Sequence, residues 1–125
     1  MSTFRQLDRD IWTNPSDSPL SEWYERVRDV PINQLGIGDI SRACRQRLFL
    51  EYTVPVLVEY LDRDPLAGEL YDGELASTVA KIPSRFWCQA PELAQKARNI
   101  LREALSKFDA DVAEEVTAFF NEENA

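Results

Sequence analysis

Five carboxylates form the densest group of potentially reactive side chains in this sequence. They lie within thirteen residues of one another, at Asp62, Asp64, Glu69, Asp72 and Glu74. Acid–base catalysis by such a group requires two carboxyls whose pKa values are driven apart by burial or by mutual repulsion. The surrounding stretch DRDPLAGELYDGE is rich in glycine and proline, which is typical of an exposed turn. We therefore expect these carboxylates to titrate normally and to act as helix caps or surface charges.

Other kinds of reaction centre are disfavoured by composition. The chain contains 0 histidines, so Ser77, Ser84 and Cys88 have no imidazole to activate them, and a zinc site is not expected. The acidic stretch lacks the DxDxDG spacing and the closing glutamate of a calcium loop. Cys44 and Cys88 form no CxxC pair and are expected to be reduced and largely buried. We predict no catalytic residue, no metal site and no cofactor.

The charge of the chain indicates what kind of partner it prefers. A net charge of -8 and a pI near 4.5 argue against direct binding of nucleic acid, which requires clustered lysine and arginine. A charged partner should therefore be basic. No apolar run approaches the roughly 20 residues that cross a bilayer, and MSTFRQLDRD lacks the features of a signal peptide. We expect a cytoplasmic protein with no membrane partner.

The acidic turn is the candidate binding surface. Its charges surround Leu66, Leu70 and Tyr71, and negative potential combined with a tyrosine hydroxyl suits protein recognition. An alternative is that Leu70 and Tyr71 merely pack the turn onto the core. A second acidic stretch, at residues 109–115, would be the interface if the turn is not. The predicted partner-binding residues are Glu69, Tyr71, Asp72, Glu74, Asp62 and Asp64.

Helical periodicity flanks this turn on both sides. Pro65 should end the preceding helix at Asp64, because proline cannot donate a backbone hydrogen bond and restricts the residue before it. Asp72 is expected to be the N-cap of the following helix. The apolar stripes consist of Val54, Leu57, Val58 and Leu61 before the turn and Leu75, Val79 and Ile82 after it.

Upstream, residues 39–63 are predicted to form two helices or one kinked helix. Asp39 should cap the first, and Pro55 should bend or break the second because its ring collides with the carbonyl of Glu51. The densest basic group is expected to be a solvated helix face, paired with nearby carboxylates. It consists of Arg42, Arg45 and Arg47.

The two ends of the chain are also predicted to be helical. Residues 4–12 and 20–30 form short amphipathic segments that need a groove on the rest of the domain, and Pro31 should end the second. Phe86 and Trp87 lie in a connection, where they either fill the core or contact a partner. Pro91 fits the first turn of a strongly periodic helix, and Asp109 should cap a last one.

No alternating strand pattern is present, so we predict an all-α protein. Residues 1–125 should form a single domain, an irregular bundle of about six or seven helices. A solenoid made of two helix pairs is the structural alternative.

One stretch of the chain resembles a known family. Residues 40–87 are similar to the all-helical immunity proteins of bacterial contact-dependent growth inhibition (CDI) systems, which carry a tyrosine-proline helix, then DPLAGELYDGEL, then a leucine-rich helix. The similarity covers about two fifths of the chain. The matching positions are Glu51, Tyr52, Pro55, Leu61, Asp64, Pro65, Gly68, Glu69, Tyr71, Asp72, Gly73, Glu74 and Leu75.

The resemblance implies a non-enzymatic cytoplasmic immunity protein. Such a protein binds and neutralises the C-terminal toxin domain of a CDI exoprotein, and these toxins are frequently nucleases that attack tRNA or DNA. A basic nuclease and a chain of charge -8 would be electrostatically complementary, in a heterodimer expected to be one-to-one. The alternative from another class is a non-enzymatic helical adaptor or regulatory protein that holds a partner helix in a groove.

Overall fold

A computed structural model describes residues 3–8 and 19–123 of the chain. Within these residues no strand is present, so the all-α prediction is confirmed. The helices outnumber the predicted six or seven because residues 84–89, expected to be a connection, form a short helix of their own. The described residues form eight α-helices, which are α1 (Phe4–Asp8), α2 (Pro19–Val27), α3 (Ile37–Arg45), α4 (Leu50–Arg63), α5 (Glu74–Lys81), α6 (Ser84–Gln89), α7 (Pro91–Ala104) and α8 (Ala110–Glu123).

The core of the protein is organised around α4. Its stripe of Val54, Leu57, Val58 and Leu61 is fully buried, as the periodicity predicts. This helix packs against α3, α5 and α7, and α5 packs in turn against α8. Each such aliphatic side chain stabilises the fold by about 1.5 to 3 kcal/mol on burial. The arrangement is a bundle around one central helix, not a solenoid of two helix pairs.

The short N-terminal helices do find the groove that their length requires. Phe4 on α1 is buried, with its ring 5.8 Å from that of Tyr24 and 6.0 Å from that of Phe49. Helix α2 ends at Val27, before the predicted stop at Pro31. The predicted apolar contacts of Ile11 and Trp12 lie outside the described residues.

The start of α3 differs from the prediction. The helix begins at Ile37, and Gly36 is its N-cap residue, so Asp39 lies inside the first turn and does not cap. Its carboxylate is used elsewhere, because it accepts hydrogen bonds from the indole nitrogen of Trp23 at 2.9 Å and from Arg26 at 3.3 Å. Asp39 therefore joins α3 to α2, a long-range role that local spacing does not reveal.

The break between α3 and α4 does not occur at Pro55. Helix α4 runs through this proline without interruption. The chain turns earlier, where Arg47 and Phe49 adopt positive φ angles of 59° and 47°. The amide of Leu48 donates to the carbonyl of Ala43 at 3.0 Å, as in a helix C-terminal motif that usually contains glycine. Two helices form, as one of the predicted alternatives states, but a left-handed turn separates them.

The C-terminal half closes the core from the other side. Trp87 on α6 is buried, with its ring 5.6 Å from that of Phe119 on α8, so this ring fills the core. Pro91 begins α7, as predicted. The carboxylate of Asp109 accepts a hydrogen bond from the amide of Val112 at 3.0 Å, which is the predicted cap of α8.

Candidate protein-binding surface

The turn between α4 and α5, residues 64–73, folds back on the start of α5. Helix α4 ends at Arg63, as the Asp64-Pro65 pair predicts. The carboxylate of Asp64 accepts from the amide of Leu66 at 3.1 Å. The carbonyl of Leu66 accepts from the amide of Gly73 at 2.8 Å, which closes the turn. The backbone of this segment is thus bonded at both ends.

The N-cap of α5 is not the predicted Asp72. The cap residue is Gly73, whose φ of 87° lies in the left-handed region that favours glycine, and no side chain bonds the free amides of the helix from this position. The carboxylate that organises the turn belongs to Glu74, the first residue of α5. One of its oxygens accepts from the amides of Glu69 at 2.8 Å and Leu70 at 3.2 Å.

Glu74 also forms the most buried ion pair of the described residues. Its second carboxylate oxygen accepts from the guanidinium of Arg45 at 2.8 Å, and the Glu74 side chain is 1% exposed. Burial raises the pKa of Glu74, but the hydrogen bonds from Arg45 and from the amides of Glu69 and Leu70 outweigh it, so that the pKa lies below its ordinary value. The expectation that the carboxylates of this turn titrate normally and act as helix caps or surface charges is wrong for Glu74.

Two apolar side chains of the turn face solvent. Leu70 is 72% exposed and Tyr71 is 44% exposed, so the alternative that they pack the turn onto the core is wrong. Glu69 and Asp72 flank them and are also exposed. We call residues 69–72 the exposed tip. The carboxylate of Glu74 holds the backbone of this tip through hydrogen bonds, while the side chains of the tip remain accessible.

The six predicted partner-binding residues do not form one patch. Glu69, Tyr71 and Asp72 belong to the exposed tip, and Glu74 lies beneath it. Asp62 is exposed on α4 and lines a groove with Ile100 of α7. Asp64 is exposed at the end of α4. Three of the six predicted residues therefore lie together on the exposed tip, next to Leu70, which was not among them. Asp62 lies apart from them, beside α7.

A pocket of about 160 Å³ lies between the exposed tip, α2 and α3. Two arginines of the predicted basic face, Arg42 and Arg45, line it. The predicted pairing with a nearby carboxylate is confirmed for Arg45, and Arg47 is exposed outside the pocket. Arg45 is committed to Glu74, the guanidinium of Arg42 lies 5.2 Å from the centre of the Trp23 ring, and Arg47 occupies the left-handed turn. Glu69 and Leu70 form the side of the pocket that belongs to the tip. Sequence reasoning missed this pocket, because Trp23 is nineteen residues from Arg42 in the chain.

The second acidic stretch, near the start of α8, is partly used by the fold. Asp109 caps α8, and the carboxylate of Glu115 accepts a hydrogen bond from Ser77 and lies 3.8 Å from the ammonium of Lys81. Asp111 and Glu114 are exposed. This stretch therefore offers fewer uncommitted charges than its sequence indicates.

The cysteines have different environments. Cys44 is buried, and burial raises the pKa of its thiol to about 12. Cys88 is exposed, contrary to the prediction that both thiols are largely buried. Among the described residues no group of three or more histidine, cysteine or carboxylate side chains is placed to hold a metal ion. Nor is any of the described helices long and apolar enough to cross a membrane.

The described residues form an all-α bundle in which a fixed turn presents an apolar side chain between acidic ones. The sequence profile of the CDI immunity proteins matches residues 6–97, well over half of the chain. The chain therefore belongs to the family of CDI immunity proteins, and its partner is a CDI toxin. No curated protein matches it.

The family match is wider than the similarity seen in the sequence. That similarity covers residues 40–87, whereas the profile match also includes α2, most of α1 and the first half of α7. Of these helices, α2 carries Trp23 and Tyr24, whose rings pack against Phe4, and it lines one side of the pocket through Trp23 and Arg26. The family therefore shares more than the turn and the two helices that flank it.

Proposed function

We propose that this protein binds the C-terminal toxin domain of a CDI exoprotein one-to-one in the cytoplasm and neutralises it by binding alone. The observation that carries this proposal is membership of the CDI immunity family over residues 6–97. The toxin is a nuclease that acts on tRNA or DNA. Neutralisation requires contact that blocks or distorts the nuclease, and no reaction on the part of this chain.

The charge of the protein supports a nuclease as the toxin. A nuclease holds the phosphates of its substrate with lysine and arginine, so its substrate groove is basic. A chain with 22 acidic and 14 basic residues is attracted to such a groove. Electrostatic attraction of this kind raises the association rate constant and is weakened by salt.

The exposed tip is the part of the surface best suited to contact the toxin. Glu69, Tyr71 and Asp72 contact it directly in this proposal, together with Leu70, while Asp62 and Asp64 extend the negative potential along the end of α4. Glu74 is excluded as a contact residue because it is buried. Since the backbone of the tip is already bonded to Glu74, little conformational entropy is lost when a partner binds.

A candidate toxin domain encoded immediately upstream of this chain provides the test. Expression of that domain alone should arrest growth, and co-expression with this chain should restore it. The purified proteins should form a one-to-one complex, and addition of this chain should stop cleavage of tRNA or plasmid DNA by the toxin. Absence of both binding and growth rescue would refute the proposal.

Reversing the charge of two residues of the exposed tip tests whether the tip is the surface that binds the toxin. The double variant Glu69→Lys/Asp72→Lys should lower the association rate constant with the toxin domain by about tenfold or more at low salt, and less at high salt. The matched control is Glu51→Lys/Glu59→Lys, which alters the net charge equally at two exposed helix positions outside both acidic stretches. Equal effects of the two double variants would mean that only the overall charge matters and that the tip is not the interface.

The adaptor alternative would use a different surface. A groove of about 280 Å³ lined by Pro55, Phe86 and Leu93 lies between α4 and the α6–α7 junction, and its apolar lining suits a partner helix. The variant Phe86→Ala discriminates between the exposed tip and this groove as the surface that binds the toxin. Under the immunity proposal it leaves toxin binding and growth rescue unchanged, whereas loss of rescue without loss of folding would favour this groove.

A further inference from the structure

Gly38 lies inside a helix at a position where the backbone does not require glycine. It is the second residue of α3, and its φ is not in the left-handed region, unlike that of Gly73. Glycine is less favourable than alanine inside a helix, because it loses more conformational freedom on folding. The reason for a glycine at this position must therefore lie in what surrounds it.

The space that a side chain of residue 38 would occupy is filled by the carboxylate of Glu69. A Cβ added to Gly38 would overlap with Oε2 and Cδ of Glu69, and the three nearest heavy atoms all belong to that carboxylate. A Cβ added to Gly36, two residues earlier, would meet no atom within 4 Å. The carboxylate of Glu69 thus lies directly against the first turn of α3, where the free amides of a helix favour a negative charge.

Glu69 is held at its backbone as well as at its carboxylate. Its amide donates to the carboxylate of Glu74 at 2.8 Å. The Glu69 side chain makes no ion pair or hydrogen bond within the described part of the chain, and the residue is exposed, so a partner can reach it. A charged acceptor that the fold positions and does not use is preorganised for binding.

The charges of the neighbouring pocket balance one another. Three carboxylates and three arginines line it, and these are Asp39, Glu69, Glu74, Arg26, Arg42 and Arg45. The net charge of the pocket therefore selects no partner group. What distinguishes Glu69 is the place at which its carboxylate is held, beside Gly38 and next to Leu70 of the exposed tip.

We infer that Gly38 is a positioning residue for toxin binding, because the room it leaves holds the carboxylate of Glu69 at the point where a lysine or arginine of the toxin donates to it. This inference rests on the proposed function and adds to the exposed tip a residue of α3 that is distant in sequence. A choice of residue that lowers helix stability is expected where function needs it. Holding the acceptor in place reduces the conformational entropy that is lost when the toxin binds.

The experiment is a double-mutant cycle between positions 38 and 69. Gly38→Ala displaces the carboxylate of Glu69, and Glu69→Gln removes its charge. The affinity of each variant for the upstream-encoded toxin domain is measured by surface plasmon resonance. We expect each single variant to weaken binding by about fivefold or more. When Glu69→Gln is already present, Gly38→Ala should change the affinity by less than about twofold, because no charge is left to position.

Thermal unfolding and a neighbouring glycine separate positioning from folding. Gly38→Ala should melt no lower than wild type, because only the flexible end of Glu69 has to move and alanine favours the helix. The control Gly36→Ala, at a position with open space, should change the affinity by less than about twofold. Any effect of Gly38→Ala on folding is present in both backgrounds and cancels in the cycle.

Two results would overturn this inference and leave the immunity function standing. One is an affinity that either single variant leaves unchanged while wild type binds. The other is an equal loss from Gly38→Ala with and without Glu69→Gln, since Gly38 would then act independently of that carboxylate. Failure of the wild-type chain to bind would instead refute the proposed function.

Discussion

Leu70 and Glu74 lie four residues apart and have opposite environments. Leu70 is 72% exposed, whereas the carboxylate of Glu74 is buried and bonded to the backbone of the turn and to Arg45. The amide of Leu70 donates to Glu74, so the buried residue holds the exposed one in position. At the scale of single residues, Leu70 contacts the toxin in the proposed function, and Glu74 holds the backbone of Leu70 in position.

Replacing Leu70 should weaken binding without affecting stability. Because the side chain is 72% exposed, Leu70→Ala should change the free energy of unfolding by less than about 0.5 kcal/mol. Affinity for the toxin should fall by about 1 to 3 kcal/mol, the range for an apolar interface anchor. Calorimetric titration and urea denaturation measure the two quantities. The control is Tyr52→Ala, another exposed large side chain, away from the tip; an equal loss of affinity there would contradict the assignment of Leu70.

Replacing Glu74, unlike replacing Leu70, should lower the stability of the fold. Glu74→Ala leaves Arg45 and two amides without their acceptor, which should cost about 2 to 4 kcal/mol, less than for a fully buried pair because the Arg45 side chain is 32% exposed. Glu74→Gln keeps an acceptor oxygen and should cost less. Urea denaturation at neutral pH measures both losses. A neutral effect of Glu74→Ala would mean that the ion pair does not hold the turn.

The same residue makes stability depend on pH. The pKa of Glu74 in the folded state is lowered from 4.5, so ionised Glu74 stabilises the folded state more than protonated Glu74 does. Its contribution is complete above pH 4.5 and is lost as the pH falls through the lowered value. Wild type should therefore lose more stability than Glu74→Gln on acidification. Comparing the two variants cancels the contribution of Asp29, whose pKa is also lowered, by its hydrogen bond with Arg5.

At the scale of elements, the turn between α4 and α5 depends on two glycines. A Cβ on Gly68 would lie 2.0 Å from the carbonyl oxygen of Tyr71 and 2.7 Å from the Cβ of Glu74, distances that require the backbone to move. Gly73 needs its positive φ of 87° to start α5. The exposed tip is consequently flanked by two positions that tolerate almost no side chain, which accounts for the two glycines in DPLAGELYDGE.

Gly68→Ala should be clearly more destabilising than Gly36→Ala. The first forces the turn open and should cost about 2 kcal/mol or more, while the second adds a Cβ with no atom within 4 Å and should cost less than about 1 kcal/mol. Thermal unfolding of the two variants provides the comparison. Gly68→Ala should also slow toxin association, since it displaces residues 69–72. Similar melting temperatures for the two variants would show that the turn adapts more easily than its packing indicates.

At the scale of the whole molecule, the last helix belongs to the same core as the rest. The family match ends at residue 97, yet Val112, Val116 and Phe119 of α8 are buried, and Glu115 bonds to Ser77 on α5. Helices α5 and α8 pack directly against each other. We propose on these grounds that residues 1–125 fold as one domain in which α8 supports the helix that follows the exposed tip.

Removal of α8 should therefore unfold the protein. Deleting residues 109–125 removes three buried side chains that contribute about 1.5 to 3 kcal/mol each, which is comparable with the whole stability of a small domain. The full-length chain should unfold in one transition that coincides by circular dichroism and by tryptophan fluorescence. The point variant Val116→Asp should destabilise it strongly, and Ala118→Asp, at an exposed position of the same helix, only slightly. Two separate transitions would contradict the single-domain proposal.

Local sequence patterns determined those features that depend on neighbours within a turn or two. The apolar stripe of α4, the stop at Asp64-Pro65 and the Asp109 cap are all of this kind, because periodicity, the missing proline amide and a short capping side chain act over a few residues. The acidic composition can be read from the sequence, and the absence of strand patterns in it predicts the all-α class. The family resemblance was visible from residues 40–87 alone.

Only the tertiary structure decided which of several similar residues does which task. Asp72 and Glu74 look alike in the sequence, but Glu74 is the one that faces Arg45, which lies 29 residues earlier in the chain. Arg42, Arg45 and Arg47 look like one basic face until the packing of α2 and α5 against α3 gives each a separate environment. The physical reason is that burial and ion pairing depend on helices brought together by the core, and the local spacing of residues carries no information about those distances.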